Sequence, residues 1–283
     1  MDENKKSLIQ GANIRYHTKL AETYDKTQPN FNPENVIQVT KRIEQYAKTT
    51  SGKRLLDLGC GTGFVLSLAH PYFEELVGID ITPAMLDCAA DKYKQEKVNN
   101  IKLIEASSDE LPFSDSYFDV VTGYGFLHHL PSLLPTFKET YRVLADGGIF
   151  YSDLDPNYYF WETMKSLPTD AKGISELLET ERKSVCDMVE GVQTIVGNDL
   201  DCETIEMAEY LKSQGGFKEE TVIEQLGEAG FKDINYEYTW YWQEGMVIRA
   251  LSLEAALYFE NHLRAALPLT RGFFKYVRIV AIK

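Results

Sequence analysis

The chain is short of cysteine, of positive charge and of long apolar runs, and each shortage narrows what it can do. Its four cysteines (Cys60, Cys88, Cys186, Cys202) lie far apart with no CxxC pair, so neither a disulfide framework nor a zinc ribbon is suggested. Lys and Arg number 29 against 43 Asp and Glu, a formal charge of −14. Binding a phosphate backbone rests mainly on Lys and Arg, so nucleic acid and anionic bilayers are disfavoured partners. A small neutral or cationic ligand suits this balance better. No uncharged apolar run approaches the ~20 residues of a membrane helix, and the start "MDENKKSLIQ" lacks the apolar segment of a secretory signal. The expectation is a cytoplasmic protein with reduced thiols and no membrane insertion.

What is present is an alternating rhythm. From Lys53 to about Leu154, short apolar runs alternate with longer amphipathic ones, the pattern of an α/β sheet. "RLLDLG", "ELVGID", "NIKLIEA", "YFDVVTG" and "GGIFYSDL" read as strands, because they are too short and too continuously apolar for surface helices. "TPAMLDCAADKYKQ" reads as a helix capped by Thr82, with Pro83 in its first turn. "SLLPTFKETYRVLADGG" reads as another, with Gly147 and Gly148 just past its end. From about Tyr158 to Gly216 the chain is polar and helix-like, longer than an ordinary connection, which predicts an inserted helical lid. The pattern then resumes with a helix ("KEETVIEQLGEAG"), a strand ("FKDINYEYTWYW"), an amphipathic helix over Leu251 to Leu267 and a last strand ("GFFKYVRIVAIK").

"LLDLGCGTG" (Leu55 to Gly63) is a strand followed by a glycine turn, where the backbone can approach a ligand closely. A dinucleotide fingerprint would need glycine at position 64, which is Phe64, and a phosphate loop would need a Gly-Lys-Ser/Thr ending. Asp57, at the end of the strand, is better placed for a cation than for a pyrophosphate. Asp80 ends the next strand, where an acid can accept hydrogen bonds from both hydroxyls of a ribose. Together they fit S-adenosylmethionine, which carries an ammonium, a sulfonium and a ribose.

"LLDLGCGTG", "VGID", "LPFSDSYFDVV", "LHHLPS" and "ETYRVLADGGIF" closely resemble the class I S-adenosylmethionine-dependent methyltransferases, in particular their small-molecule group. The motifs span Lys53 to Asp153, and "AETYDKTQP" resembles the group's N-terminal lead-in. The resemblance implies a Rossmann-like α/β fold: a seven-stranded mixed sheet with helices on both faces and a helical lid insertion. Residues 1–157 and 216–283 would form the cofactor-binding domain, and 158–215 the lid. It further implies that Asp57, Gly59, Gly61 and Gly63 hold the methionine end, Asp80 the ribose and Ile81 one adenine face. Gly123 would complete the site, and Tyr16 or Tyr24 could close over the methionine moiety. Where the family often has an acid near the adenine amino group, this chain has Ser107, so Ser107, Ser108 or Asp109 would take that contact.

"GYGFLHHLP" puts His128 and His129 after the fourth strand, at the carboxyl edge where open α/β sheets bind ligands. Asp153 and Asp155 end the fifth strand on the same edge. A histidine oriented by Asp153 is a reasonable general base for a hydroxyl acceptor, and neighbouring side chains of an extended segment point opposite ways, so at most one histidine is expected to face the acceptor. No metal is expected, since adjacent histidines rarely share an ion and a third ligand such as Asp153 would be needed. The aromatic stretches "NYYFW" and "YEYTWYW" can supply walls for the acceptor, but part of them must be core, and core packing is the favoured reading for any single ring. The reading is methyl transfer to a small organic acceptor, at oxygen, with nitrogen or carbon acceptors and a cofactor-binding protein without transferase activity as alternatives. A monomer or homodimer would serve.

Overall fold

The apolar runs of the first half become parallel strands because neighbouring positions drain into two different cores. Leu56, Leu58, Val77, Ile79 and Val121 enter one core, while Leu55, Leu76 and Val120 enter the other. A strand covered on both faces has no polar side, so its sequence does not alternate. The computed structural model describes residues 2–167, 175–186, 192–194 and 199–283. Its strands are β1 (Arg54–Leu58), β2 (Glu75–Asp80), β3 (Ile101–Glu105), β4 (Phe118–Tyr124), β5 (Leu144–Pro156), β6 (Asp233–Tyr241) and β7 (Phe274–Ile282). They form one seven-stranded sheet in the order β3-β2-β1-β4-β5-β7-β6, with β7 antiparallel to both its neighbours.

The helices, in chain order, are α1 (Glu3–Leu20), α2 (Tyr24–Thr27), α3 (Pro33–Thr49), α4 (Phe64–Ala69), α5 (Pro83–Glu96), α6 (Leu133–Val143), α7 (Tyr158–Ser166), α8 (Glu176–Cys186), α9 (Cys202–Ala208), α10 (Tyr210–Ser213), α11 (Glu219–Ala229), α12 (Glu244–Ala250) and α13 (Leu253–Ala265). Helices α3, α4 and α5 cover one face of the sheet, with Val39, Ile43 and Ala47 of α3 buried at four-residue spacing. Helices α6 and α11 cover the other through Phe137, Val143, Val222 and Leu226. Helix α6 ends at Val143, four residues before Gly147, because Leu144 already pairs with Phe118 in the sheet. Helix α13 meets the sheet core through a narrow face, with Ala256 buried in the same cluster as Tyr238 and Tyr241 and Leu263 half-buried against it, while Leu257, Tyr258 and Phe259 are exposed. Cys60, Cys88 and Cys202 are free thiols; the Cys186 side chain lies outside the described residues.

The long segment after β5 leaves and returns at one point. Tyr158 N–H donates to the Phe217 carbonyl (3.0 Å), and Phe217 N–H donates to that of Pro156 (2.8 Å). Between them, α7 and α8 pack with Trp242 and Tyr276, whereas α9 packs on α1 through Ile205 and Ala208 against Ala12, Tyr16 and Leu20. Residues 168–174, 187–191 and 195–198 of this segment lie outside the described residues.

One irregularity sets the geometry of the carboxyl edge. In β5, Ser152 stands opposite Ile279 but Asp155 stands opposite Val277, so Asp153 and Leu154 together face Arg278. Leu154 takes up the extra residue in the left-handed region, φ 65°. A one-residue offset turns later side chains to the other face. Asp153 therefore shares a face with Tyr151, which donates to it at 2.9 Å, and with Arg278 Nε at 2.6 Å. Asp155 shares the opposite face with Ser152, whose hydroxyl donates to it at 2.8 Å.

Two stability predictions follow from buried charge. Removing one partner of a buried ion pair strands the other, so Asp153→Ala should cost about 3 kcal/mol in urea unfolding, with Glu237 still holding Arg278 at 2.9 Å. Burial pushes Asp57 up to about 7, against a hydrogen bond from Thr122 and with Asp80 adding to the rise. The folded value exceeds the unfolded one, so Asp57's contribution is fully present below about pH 4 and is lost as pH rises through about 7. Unfolding midpoints measured between pH 5 and 8 should fall less in Asp57→Asn than in the parent.

Candidate functional site

A cavity of about 310 Å³ opens at the carboxyl ends of β1, β2 and β4, within the roughly 300–1,000 Å³ usual for small-molecule sites. Gly59, Gly61, Asp80, Ile81, Ser107, Ser108 and Asp109 all line it. Gly59 and Gly61 have φ 58° and 52°, and a Cβ on Gly59 would overlap the Phe126 ring, so the turn cannot carry a side chain there. Asp80 is held from both sides: Gly61 N–H donates to Oδ2 (2.9 Å) and Thr82 N–H to Oδ1 (2.8 Å). Its remaining lone pairs face the cavity. Ile79, Ile81, Met85 and Ala106 give this end apolar walls.

The polar end beyond Ala106 is built across the chain. Ser107 donates to Asp109 (2.6 Å), Gln10 donates to Ser107 (3.3 Å), and Lys6 pairs with Asp109 at 2.7 Å. Burial works against the Asp109 charge, but Lys6 and Ser107 more than offset it and hold its carboxyl below the usual range. Ser108 is spent on Thr136 (2.9 Å). Helix α1, unassigned from the sequence, thus closes this cavity with Lys6, Gln10, Asn13 and His17.

Four expected contacts are relocated. Asp57 is almost fully buried, accepts from the Thr122 hydroxyl at 2.7 Å and does not line the cavity. Gly63 (φ 85°) precedes α4 and leaves room for the Tyr93 hydroxyl, which donates to its carbonyl at 2.9 Å; its role is the turn itself. Gly123 packs against Phe126, and Gly125 lines the cavity in its place. Tyr16 lies away from this cavity, donating to Glu209 at 3.2 Å, whereas Tyr24 does line it.

A second cavity of about 150 Å³ adjoins the first, and His17, Tyr24, Tyr124, Gly125 and His129 line both. Its deeper wall carries His128, Glu209, Lys212, Tyr16 and Tyr276. The aromatic wall comes from tyrosines of four separate segments. Within the two aromatic stretches, Phe160, Trp161, Tyr238 and Tyr241 are core residues, in line with the core reading favoured for single rings.

The two histidines do not point opposite ways. Leu127–His129 is a single 3₁₀ turn, not an extended segment, and the rings lie 4.1 Å apart. His128 Nδ1 meets Asp155 Oδ1 at 2.8 Å, and the same oxygen accepts His128 N–H at 3.1 Å. The carboxylate that orients a histidine is therefore Asp155; Asp153 is turned away by the β5 bulge. His129 Nδ1 lies 2.7 Å from the Ala208 carbonyl, which only accepts, so this nitrogen carries the proton and Nε2 the lone pair. Burial lowers both imidazoles, His128 to about 4, so both are neutral near neutral pH. Asp155, also buried, is raised.

Glu209, which nothing in its local sequence marks, completes the group from the α9–α10 junction. Its Oε2 lies 3.5 Å from His128 Nε2 and 3.0 Å from Lys212 Nζ. Burial opposes its charge, but the carboxyl is held well below the usual range, with the Lys212 ammonium the leading cause.

The profile of a methyltransferase domain matches residues 56–152. Over 141 residues the chain is 35% identical to a demethylmenaquinone methyltransferase of Lactococcus lactis, covering 46% of this chain and 56% of that protein. The same-named protein of Staphylococcus saprophyticus is 38% identical over 130 residues, covering 44% and 54%. The chain thus spans about half the length of these relatives. Among solved structures, an S-adenosylmethionine-dependent methyltransferase of Mesorhizobium loti superposes with TM-score 0.53 at 18% identity, covering 86% of this chain and 96% of that one. A phosphoethanolamine N-methyltransferase of Haemonchus contortus, complexed with phosphomonomethylethanolamine and S-adenosylhomocysteine, does so with TM-score 0.58 at 16% identity, covering 100% and 61%. Strand order, glycine turn and sequence match agree: residues 56–152 are a methyltransferase domain of the class I S-adenosylmethionine-dependent family.

Proposed function

We propose that the protein transfers a methyl group from S-adenosylmethionine to a small organic acceptor, at a hydroxyl oxygen. The observation that carries this reading is the wall shared by the two cavities. The larger one offers Asp80, a bare glycine turn and apolar faces, a set that fits a nucleoside with a cationic tail. The smaller one, across Gly125 and His129, offers two neutral imidazoles and a carboxylate.

The ribose would sit on Asp80, the adenine against Ile81 with Ser107 and Asp109 at its edge, and the methionine end over Gly59 and Gly61. Bound there, the cofactor supplies a methyl carbon already activated for in-line displacement. The chain's own task is alignment, exclusion of water and handling of one proton. Tyr24 and His17, on the common wall, would fix the angle between donor and acceptor. His128, His129 and Glu209 would make the hydroxyl reactive, a need that an amine acceptor lacks. Residues 158–215 would act as the lid, since α9 and Glu209 come from them.

The domain match ends at Ser152, before the segment that supplies Glu209, so the acceptor reading rests on geometry. The fold alone does not carry transfer: a [4+2]-cyclase superposes with TM-score 0.52 at 17% identity, covering 87% of this chain and 80% of that one. A turnover assay decides between enzyme and binder.

Two outcomes are expected. S-adenosylmethionine should raise the melting temperature of the parent and not of Asp80→Ala, while NADH should shift neither; an equal NADH shift would remove the donor assignment. With phenolic and aliphatic alcohol acceptors, His129→Ala and Glu209→Gln should each lower turnover about 100-fold while leaving the S-adenosylmethionine shift intact. Turnover unchanged in both would show that the group plays no part in activating the acceptor.

A further inference from the structure

The geometry points to a binding site for one divalent transition-metal ion of the zinc class, ligated by His128 Nε2, His129 Nε2 and Glu209, on the acceptor side of the shared wall. This deepens the function proposed above and rests on it for the ion's use, though not for its binding. His128, His129 and Glu209 are the single group of this kind among the described residues, with ligand atoms all within 4.8 Å of one another. Two imidazoles and one carboxylate are a recurring ligand set for catalytic zinc, with the fourth position left to water or substrate. Ligand atoms on a tetrahedral zinc stand about 3.4 Å apart. Closing the present spread therefore takes side-chain rotations on the order of 1 Å.

The surroundings matter more than the spacing. Ligands of a metal are themselves oriented by an outer partner: a histidine gives its other nitrogen to a carboxylate or backbone carbonyl, and a ligating carboxylate is hydrogen-bonded in turn. All three groups here meet that condition. His128 Nδ1 is occupied by Asp155, His129 Nδ1 by the Ala208 carbonyl, and Glu209 Oε1 by the Tyr16 hydroxyl. What remains on the two imidazoles is Nε2, and His128 Nε2 already lies 3.5 Å from Glu209 Oε2. Simple packing of the imidazoles would not require both Nδ1 atoms to be committed outward.

Lys212 is the competing cation. Its ammonium lies 3.0 Å from Glu209 Oε2, and its side chain is one-quarter exposed, so it can leave for solvent when an ion arrives. The open coordination position would face the 150 Å³ cavity, where an acceptor's oxygen would enter. An ion there would make that hydroxyl more acidic directly, and the two imidazoles would then be ligands and not bases. Mg²⁺ is not the fit, because it prefers oxygen ligands in octahedral array.

The test uses the full chain, stripped with chelator and titrated with Co²⁺ by visible absorbance and with Zn²⁺ by calorimetry. One equivalent of either should bind, with tetrahedral or five-coordinate Co²⁺ bands, and Mg²⁺ should not compete. His128→Ala, His129→Ala and Glu209→Gln should each weaken binding more than 100-fold, and Asp155→Asn about 10–100-fold. Lys212→Met should tighten it. The S-adenosylmethionine melting shift, read on every variant, shows that it is folded. No stoichiometric uptake by the parent, or uptake unaltered in all the ligand variants, overturns the site. Uptake without any S-adenosylmethionine shift in the parent would leave the metal site standing and remove the donor assignment instead.

Discussion

The histidine side of the smaller cavity depends on one extra residue in one strand. Had β5 run regularly into Pro156, Asp153 and Asp155 would lie on the same face. With Leu154 absorbing an additional position at φ 65°, they part. Asp153 becomes the counter-charge of Arg278 and locks the antiparallel β7 to β5. Asp155 becomes free to hold His128. A leucine in the left-handed region costs on the order of 1–2 kcal/mol, and the Arg278–Asp153–Tyr151 contacts around it fix that conformation. One strain thus serves two ends, a structural ion pair on one face and an oriented histidine on the other.

The same bulge explains where the sequence could be read and where it could not. Strands β1, β2 and β4 were legible because each is a continuous apolar run, and the glycine turn because its positive φ angles leave few alternatives to glycine. Asp80 and Ile81 were legible because they end β2 directly at the cavity. The pairing of His128 with Asp155 was not. A period of two assigns both acids to one face, and no residue around Leu154 announces the offset. Helix α1 was missed for a different reason. Its buried face holds Asn13 and Tyr16 among the apolar residues, so its hydrophobic periodicity is weak. Those polar residues are there to donate to the His129 carbonyl (3.1 Å) and to Glu209. The aromatic stretches are largely core, as the preference of large rings for the core leads one to expect, whereas the tyrosines lining the smaller cavity sit in separate segments that no aromatic cluster marks.

The two cavities are therefore encoded differently. The glycine turn, Asp80, Ile81 and the Ser107–Asp109 turn of the larger cavity sit at strand ends between Leu58 and Asp109, where local sequence specifies them, while helix α1 and the chain from Tyr124 to Thr136 supply the rest of its lining. The smaller cavity is assembled from α1, the 3₁₀ turn, the end of β5, β7 and the segment between Tyr158 and Phe217. That segment begins and ends in mutual hydrogen bonds, so its closure depends little on what lies between. Glu209 can be placed against the histidines, or replaced, without disturbing the sheet.

Stability alone gives no reason for Glu209 to be where it is. A buried carboxylate loses several kcal/mol of hydration, and a polar cluster of this kind is often matched or exceeded in stability by apolar residues of similar volume. Here the charge is maintained by Lys212 and Tyr16, and two imidazoles are kept neutral beside it by the same burial. Tyr16 and Glu209 are 193 residues apart, and His129 and Ala208 are 79 apart. Contacts over such separations carry a large ordering cost. Groups assembled against both desolvation and chain entropy, at the wall shared with the larger cavity, are the features that binding or chemistry explains and packing does not.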